Sequence, residues 1–347
     1  MATYKAGIIG LGFIGGGDQL AGDALGQKVA NLDGTHAEAL GDHSHVDLVA
    51  GSNREEGKRQ RFAERTGARI YSDWRRMLDE EQLDIVSVAT YTPAHAEITI
   101  ECARRGIRAV YCEKPIAPRV PDAEQMVRAC EEVGTLLVLN HNRRFDPNAR
   151  RLRDYIQAGG LGRVTSVMLQ WGAGRLGNVG THVFDAMQML TGERIEAVSG
   201  TLDLGGKADC RGDEFRDPGG WGVMRLEGGA MVLVDAADYA TTPIRIVVSG
   251  TEGRATSSLA KTAVVVERHD GSVETWAAPP RRPSGMDVAV AEIVDHLDGT
   301  KPFDLSAALA VHALEAILAF HASHARDGAW CTLPLTGEDR QRELLSG

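Results

Sequence analysis

Apolar and polar positions follow two different periods along the chain, and the change between them divides it. Up to about residue 140, short apolar runs alternate with stretches of helical spacing. The runs are Lys5–Ile9, Val46–Ala50, Arg69–Tyr71, Leu83–Ala89, Ile107–Val110 and Leu136–Leu139. Between them, helical periodicity covers Thr35–Leu40, Glu55–Arg65, Trp74–Glu80, Ile98–Arg105 and Asp122–Val133. Repeated alternation of this kind predicts a parallel sheet with helices on both faces.

After a helix at Pro147–Ala158 and the Gly159-Gly160 break, the period shortens. Val164–Trp171, Ile195–Leu204, Gly220–Leu226, Met231–Ala237, Ile244–Gly250, Arg254–Leu259, Ala263–Arg268 and Val273–Trp276 are strand-like, with turn residues between them. They predict a large, open, mostly antiparallel sheet in a second domain of α+β type. Helices at Gly180–Leu190, Asp287–Leu297 and Ser306–Ala325 accompany it, and Leu333-Pro334-Leu335 reads as an anchoring strand. The expected division is 1–140 and 141–347, with the C-terminal helices packing partly on the first domain.

Composition narrows the setting. A chain of 347 residues suits two domains that each bury a core. A formal charge of −10 argues against nucleic acid or an anionic membrane as partner. The five cysteines show no Cys-x-x-Cys spacing, which fits reduced thiols rather than disulfides or a zinc site. With neither an export signal nor an apolar run long enough to span a bilayer, a cytoplasmic setting is expected. No metal is expected.

The candidate chemistry lies at strand ends. Gly10-Leu11-Gly12-Phe13-Ile14-Gly15 follows the first strand as G-x-G-x-x-G, the turn that lets a backbone approach a dinucleotide pyrophosphate. Gly10, Gly12, Phe13, Ile14 and Gly15 are therefore cofactor candidates, and the first domain reads as a Rossmann unit. Residues 16–34 then intervene as an insertion, with a short helical turn around Ala24–Leu32. It reads either as a lid or wall over the site or as a solvated loop. The second strand ends at Ser52-Asn53-Arg54, where an NAD enzyme usually carries an acid for the ribose diol. The absence of that acid tilts the cofactor from NAD towards NADP.

Thr90, Tyr91 and His95 follow the fourth predicted strand and face the nicotinamide side, although His95 also suits a packing or capping role. Tyr111-Cys112-Glu113-Lys114-Pro115 closes the fifth, placing a lysine where ligands bind at the C-terminal edge of an α/β sheet. Asn142, Arg143 and Arg144 follow the sixth, and the two arginines either orient a ligand or pair with carboxylates. Trp171 either stacks on a ligand or packs in the core. Asn178, His182 and Asp185 form a polar stripe beside an otherwise apolar helix, which calls for a ligand or a buried partner.

Taken together, these motifs resemble the Gfo/Idh/MocA family of sugar and polyol oxidoreductases. The resemblance rests on Gly10 to Gly15, Thr90 with His95, Cys112-Glu113-Lys114-Pro115, Arg144-Phe145-Asp146-Pro147 and Gly180-x-His182-x-x-Asp185. Gly250-Thr251-Glu252-Gly253, Gly299-x-x-Pro302 and Leu333-Pro334-Leu335 complete it. It implies hydride transfer between nicotinamide and a hydroxyl or ketone of a sugar, polyol or sugar derivative. Lys114 would bind the reacting hydroxyl and His182 would move its proton. Substrate contacts would extend to Asn142, Arg144, Trp171, Asn178 and Asp185, and cofactor contacts to Glu113 and Lys114. The open sheet would serve as the interface of a homodimer or homotetramer.

The family also includes glycosidases that oxidise transiently and eliminate, and non-catalytic sugar or cofactor sensors. This sequence departs from it at Asn178, where many relatives carry Asp, in the short connection from Trp171 to Asn178, and in the insertion.

Overall fold

The computed structural model describes residues 3–24, 34–172, 174–205, 215–238, 244–258, 263–280 and 282–346. Two compact units emerge, and each has its own sheet. The first comprises residues 1–117, 122–140 and 282–307. Its strands are β1 (Tyr4–Ile9), β2 (Val46–Ser52), β3 (Arg69–Tyr71), β4 (Ile85–Val88), β5 (Ala109–Cys112) and β6 (Leu136–Leu139). They pair in parallel in the order β3-β2-β1-β4-β5-β6, which reverses direction between β1 and β4. A doubly wound sheet binds ligands outside its strand ends at such a reversal.

The sheet is sequestered because its strands are apolar on both faces. Ile85, Val86, Ser87 and Val88 are all buried, as are Ala109, Val110, Tyr111 and Cys112. The accompanying helices are α1 (Phe13–Gly16), α2 (Gln19–Ala24), α3 (His36–Gly41), α4 (Glu56–Thr66), α5 (Trp74–Glu80), α6 (His95–Arg104) and α7 (Val120–Val133). Side chains stop the polar helix ends from fraying: Thr35 caps α3 and Asp73 caps α5.

The second unit comprises residues 118–121, 141–281 and 308–347. It opens with α8 (Pro147–Gln157), and α9 (Thr181–Thr191) follows the first strand of its sheet. The sheet strands are β7 (Val164–Gln170), β8 (Ile195–Asp203), β9 (Gly219–Leu226), β10 (Met231–Asp235), β11 (Arg245–Gly250), β12 (Gly253–Ser257), β13 (Val264–Arg268), β14 (Val273–Trp276) and β15 (Cys331–Thr332). They run in the order β14-β13-β12-β11-β7-β10-β9-β8-β15, antiparallel except for β10 beside β7. The chain's α10 (Gly285–Leu297) belongs to the first unit, while α11 (Ala308–His324) belongs to the second.

The two faces of this sheet differ. Met224, Val232, Val167, Val248, Ala255 and Val266 share one cross-strand row and are all buried. Phe184 of α9 and Phe320 of α11 stack 5.9 Å apart in the core of this unit. The neighbouring row carries Val223, Leu233, Met168 and Val247 on the other face, where Leu233 is half exposed at 51%. Alternation along each strand produces this contrast.

Several boundaries move from those expected. The anchoring strand is Cys331–Thr332, with Leu333-Pro334-Leu335 just beyond it. Among the described residues the insertion carries a helix at Gln19–Ala24, whereas all of the turn expected at Ala24–Leu32 except Ala24 lies outside the described residues. Cys210 also lies outside them; the other four cysteines are free and buried. No described helix is long and apolar enough to cross a membrane.

Candidate active site

In the first unit, the glycine turn has the shape a dinucleotide requires. Gly10 adopts φ +101°, and a β-carbon there would lie 2.3 Å from the Ala89 carbonyl oxygen. A β-carbon on Gly15 would lie 2.0 Å from the Gly10 carbonyl oxygen. Both positions therefore need glycine for internal packing. Gly12 differs, because a β-carbon there would meet nothing within 4 Å. It leaves open space against the backbone, as a pyrophosphate would require. The buried Thr90 hydroxyl has no hydrogen-bond partner among the described residues, which leaves it available to a ligand. These features fit a bound dinucleotide.

The helix directly after the turn is short, and the insertion follows it. Helix α1 is a single turn, with Gly16 N donating to Gly12 O at 2.9 Å and Gly17 N to Phe13 O at 2.9 Å. Phe13 is buried in the core, so only its backbone can serve a phosphate. The inserted segment is tied down at its start. Asp18 is buried and accepts two hydrogen bonds from Arg61 of α4, at 2.9 and 2.6 Å. Arg65 donates to the Gly16 carbonyl.

At the end of β2, Ser52 is buried and Arg54 exposed. The Asn53 side chain accepts from Glu55 N at 2.9 Å. Arg59 donates to the carbonyls of both Asn53 and Arg54, each at 2.8 Å, and Lys58 pairs with Glu55 at 2.6 Å. The strand end is thus cationic apart from two exposed glutamates opening α4.

Glu113 and Lys114 stand just past β5, and Glu113 is held in a buried network that sequence reasoning missed. His36 Nε2 lies 3.0 Å from Glu113 Oε1, and His36 Nδ1 lies 2.6 Å from Ser87 Oγ. The Asn140 amide donates to the same Glu113 oxygen, and Tyr111 OH donates to Asn140 Oδ1 at 2.7 Å. Lys114 N donates to Glu113 Oε2 at 3.3 Å. Burial alone would raise the Glu113 carboxyl. The His36 hydrogen bond and charge, the Lys114 ammonium and the Asn140 amide outweigh it and pull the pKa down to about 2. Nothing in the sequence around His36 announces this role, since its partners come from β4 and the end of β5.

His95 is fully buried; its ring nitrogens lie 2.9 Å from Pro115 O and 3.0 Å from Thr90 O. It is therefore a structural tie between two loops, not a cofactor contact. Burial lowers its pKa, against the pull of those carbonyls. Tyr91 is exposed at 54%.

The second unit holds the other candidates. Asn178 sits in a π-helical turn, Leu176–Gly180, that runs directly into α9, and His182 occupies the first turn of that helix. Both are partly exposed. The His182 ring meets His141 edge-on, with centroids 5.4 Å apart. One turn further along α9, Asp185 takes a bidentate pair from Arg144, its Nε–Oδ2 contact measuring 2.8 Å. Arg144 is 1% exposed and Asp185 0%. The expected substrate contacts of these two residues give way to a buried ion pair. Burial would raise the Asp185 carboxyl, but Arg144, His141 and Arg143 hold it below the usual range.

Trp171 is also corrected. It is 1% exposed, donates to Gly174 O at 2.7 Å and packs edge-on against Phe184, so it is a core residue. Arg143, by contrast, has no carboxylate at ion-pair distance among the described residues. Its Nη1 donates to the exposed Asn142 side chain at 2.7 Å. Burial pulls its pKa down to about 10, against the opposing charges of Asp146 and Asp185. Among the described residues no cluster of His, Cys, Asp or Glu could hold a metal.

Comparison with known proteins identifies the family. Residues 4–141 match the oxidoreductase family with an NAD-binding Rossmann fold, GFO_IDH_MocA, and residues 149–256 match the GFO/IDH/MocA C-terminal domain. The chain belongs to this oxidoreductase family. Myo-inositol 2-dehydrogenase of Thermotoga maritima is 26% identical over 286 residues, covering 77% of this chain and 79% of that protein. Levoglucosan dehydrogenase of Pseudarthrobacter phenanthrenivorans is 28% identical over 269 residues, covering 69% and 66%. An Agrobacterium radiobacter oxidoreductase crystallised with NAD+, L-tartaric acid and magnesium shares the fold, with TM-score 0.76 and 18% identity over 95% of this chain and 98% of that one.

The Glu113 network yields a pH signature. Its folded pKa, about 2, lies below the ordinary value of 4.5. The group therefore adds stability above the unfolded pKa, and that stability is lost as pH falls through the folded value. Denaturant unfolding at a series of pH values should show wild-type stability dropping between about pH 5 and 2, and Glu113→Gln dropping less over that window. At neutral pH, His36→Ala should cost about 3–5 kcal/mol by leaving a buried carboxylate without its partner. Equal slopes for Glu113→Gln and wild type would contradict the assignment.

Proposed function

We propose that the chain is an NAD(P)-dependent dehydrogenase that transfers hydride between nicotinamide and a hydroxyl or ketone of a sugar, polyol or sugar derivative. The observation that carries this reading is a lysine at the C-terminal edge of a dinucleotide-binding sheet, beside a buried and ionised glutamate. The substrate class is supported by the names of its relatives, which include inositol, levoglucosan and D-apiose dehydrogenases.

Gly10, Gly12 and Gly15, with the backbone at Phe13 and Ile14, would receive the pyrophosphate. Thr90 and Tyr91 would flank the nicotinamide, which supplies the two-electron acceptor or donor. Lys114 would hydrogen-bond the reacting hydroxyl and stabilise the negative charge that grows on its oxygen. His182 would take the hydroxyl proton, a general-base task suited to imidazole. Asn178 cannot ionise, so it would orient the substrate and leave the proton to His182. Asn142 and the carboxylate-free Arg143 are further substrate contacts. Glu113 would keep the Lys114 backbone in place.

Lys114→Ala and His182→Ala should each lower turnover by roughly a hundredfold or more while leaving the thermal transition near that of wild type. Near-normal turnover in both would remove the assignment. Nucleotide released on denaturing the purified protein should be well below one per chain. Full retention, with product formed and no absorbance change at 340 nm, would instead favour transient oxidation and elimination.

For the cofactor, the cationic end of β2 supports NADP over NAD. Fluorescence titration should show Arg54→Ala losing about tenfold in NADP affinity, the scale of one hydrogen bond to a charged group, with NAD binding unchanged. Parallel losses for both nucleotides would reject the preference.

The half-exposed Leu233 and Trp221, with Met168, Val223 and Val247, support a homodimer or homotetramer built on the open sheet face. Sedimentation should then show Leu233→Asp shifted towards monomer; an unshifted variant would rule that face out. The buried, unpaired thiols suit a reducing, cytoplasmic setting.

A further inference from the structure

The buried Asp217 carboxylate remains outside these roles. Asp217 forms no ion pair among the described residues, yet it is 9% exposed. It accepts instead from Gly177 N at 2.6 Å, Asn178 N at 2.7 Å and Ser346 Oγ at 2.9 Å. Pro218 O accepts from Leu176 N at 2.9 Å. The first three N–H groups of the π-helical turn are therefore satisfied by residues 217 and 218. A helix start ordinarily leaves such donors to a local cap or to water. Burial raises the Asp217 pKa, and the two backbone N–H groups, the Ser346 hydroxyl and the Arg175 charge pull against it.

The same short segment is gripped from its other side. Arg216 N donates to Leu345 O at 2.8 Å in an isolated antiparallel bridge, and Leu344 N donates to Pro118 O at 2.8 Å. Leu344 and Ser346 are each 1% exposed. A β-carbon at Gly177 would lie 2.9 Å from both Leu344 δ-carbons and from the Ser346 β-carbon. Turn, rung and terminal segment thus lie in direct contact, with no room to spare at Gly177.

The turn needs that support. It begins at Arg175, a non-glycine residue at φ 56°, a conformation that local preference does not favour. Its geometry is therefore imposed by what it packs against.

We propose that Asp217 is a positioning residue for Asn178 and, through the turn, for His182, with residues 344–346 as the latch that holds its carboxylate. The inference rests on the roles proposed above for Asn178 and His182. Loss of the latch would let the start of α9 shift, and misplacing a reacting group costs rate more than it costs binding of a nucleotide held by another domain.

The test uses the full chain carrying Ser346→Ala, Ser346→Thr or Asp217→Ala. Amide hydrogen exchange is followed in peptides spanning 176–182, together with polyol oxidation and nucleotide binding. Ser346→Ala should speed exchange there by roughly tenfold as the turn opens locally more often. Its kcat should fall by roughly tenfold, with nucleotide affinity unchanged and both effects reversed in Ser346→Thr. Asp217→Ala should show larger changes in the same sense. If it fails to fold, Ser346→Ala and Leu344→Ala carry the test.

Faster exchange with unchanged kcat would overturn the positioning role, and unchanged exchange would overturn the latch itself. A wild-type protein that oxidises no polyol would instead remove the dehydrogenase reading. The latch would then be judged by exchange and by the rate at which diethyl pyrocarbonate labels His182. An unaltered rate of both in Ser346→Ala would overturn it.

Discussion

A carboxylate sealed inside a parallel sheet must be matched by donors or it will take a proton. Glu113 is matched by His36 and Asn140 and stands next to Lys114, and this requirement organises the first unit around it. It explains why a histidine lies buried in the first turn of α3, why Asn140 follows β6, and why Tyr111 points its hydroxyl at Asn140. Three strand ends and a helix are thereby brought to one point. The lysine that follows inherits a fixed backbone and a permanent negative neighbour, the conditions under which an ammonium group can be aimed.

The second unit meets a similar demand by a different route. Arg144 and Asp185 neutralise each other in full burial, one turn of α9 away from His182. Their pairing anchors the helix against the segment that follows β6. An Arg–carboxylate fork has a defined geometry, so the anchor sets orientation as well as distance. The catalytic candidates of both units are thus the partly exposed members of clusters whose other members are buried.

Much of this could be read along the chain. The change from strand–helix alternation to short strands located the boundary near residue 140, because each period reflects how many faces of a sheet are covered. Strands such as Val273–Trp276 emerged at their expected limits, and the glycine turn stands where its spacing put it, directly after β1. What stayed hidden was pairing. Arg144 and Asp185 are polar residues 41 positions apart, and only the fold shows that they face each other. Trp171 could equally have lined a pocket or filled a core. His36 and Asp217 left no local trace, since their partners arrive from distant segments. The glycine pattern usually opens an uninterrupted helix; here the insertion follows the single turn of α1, and the helix expected at Thr35–Leu40 is α3.

The insertion itself is tethered independently at both margins. Asp18 is clasped by Arg61 on one side, and Thr35 and His36 are fixed by their cap and by Glu113 on the other. Closing a loop between fixed points grows costlier only slowly with its length. Sequence can therefore be added, trimmed or exchanged between these tethers with little strain on the glycine turn or on the glutamate. The fold contains a port beside the glycine turn, through which descendants of this chain could acquire a new pocket wall without rebuilding the machinery it borders.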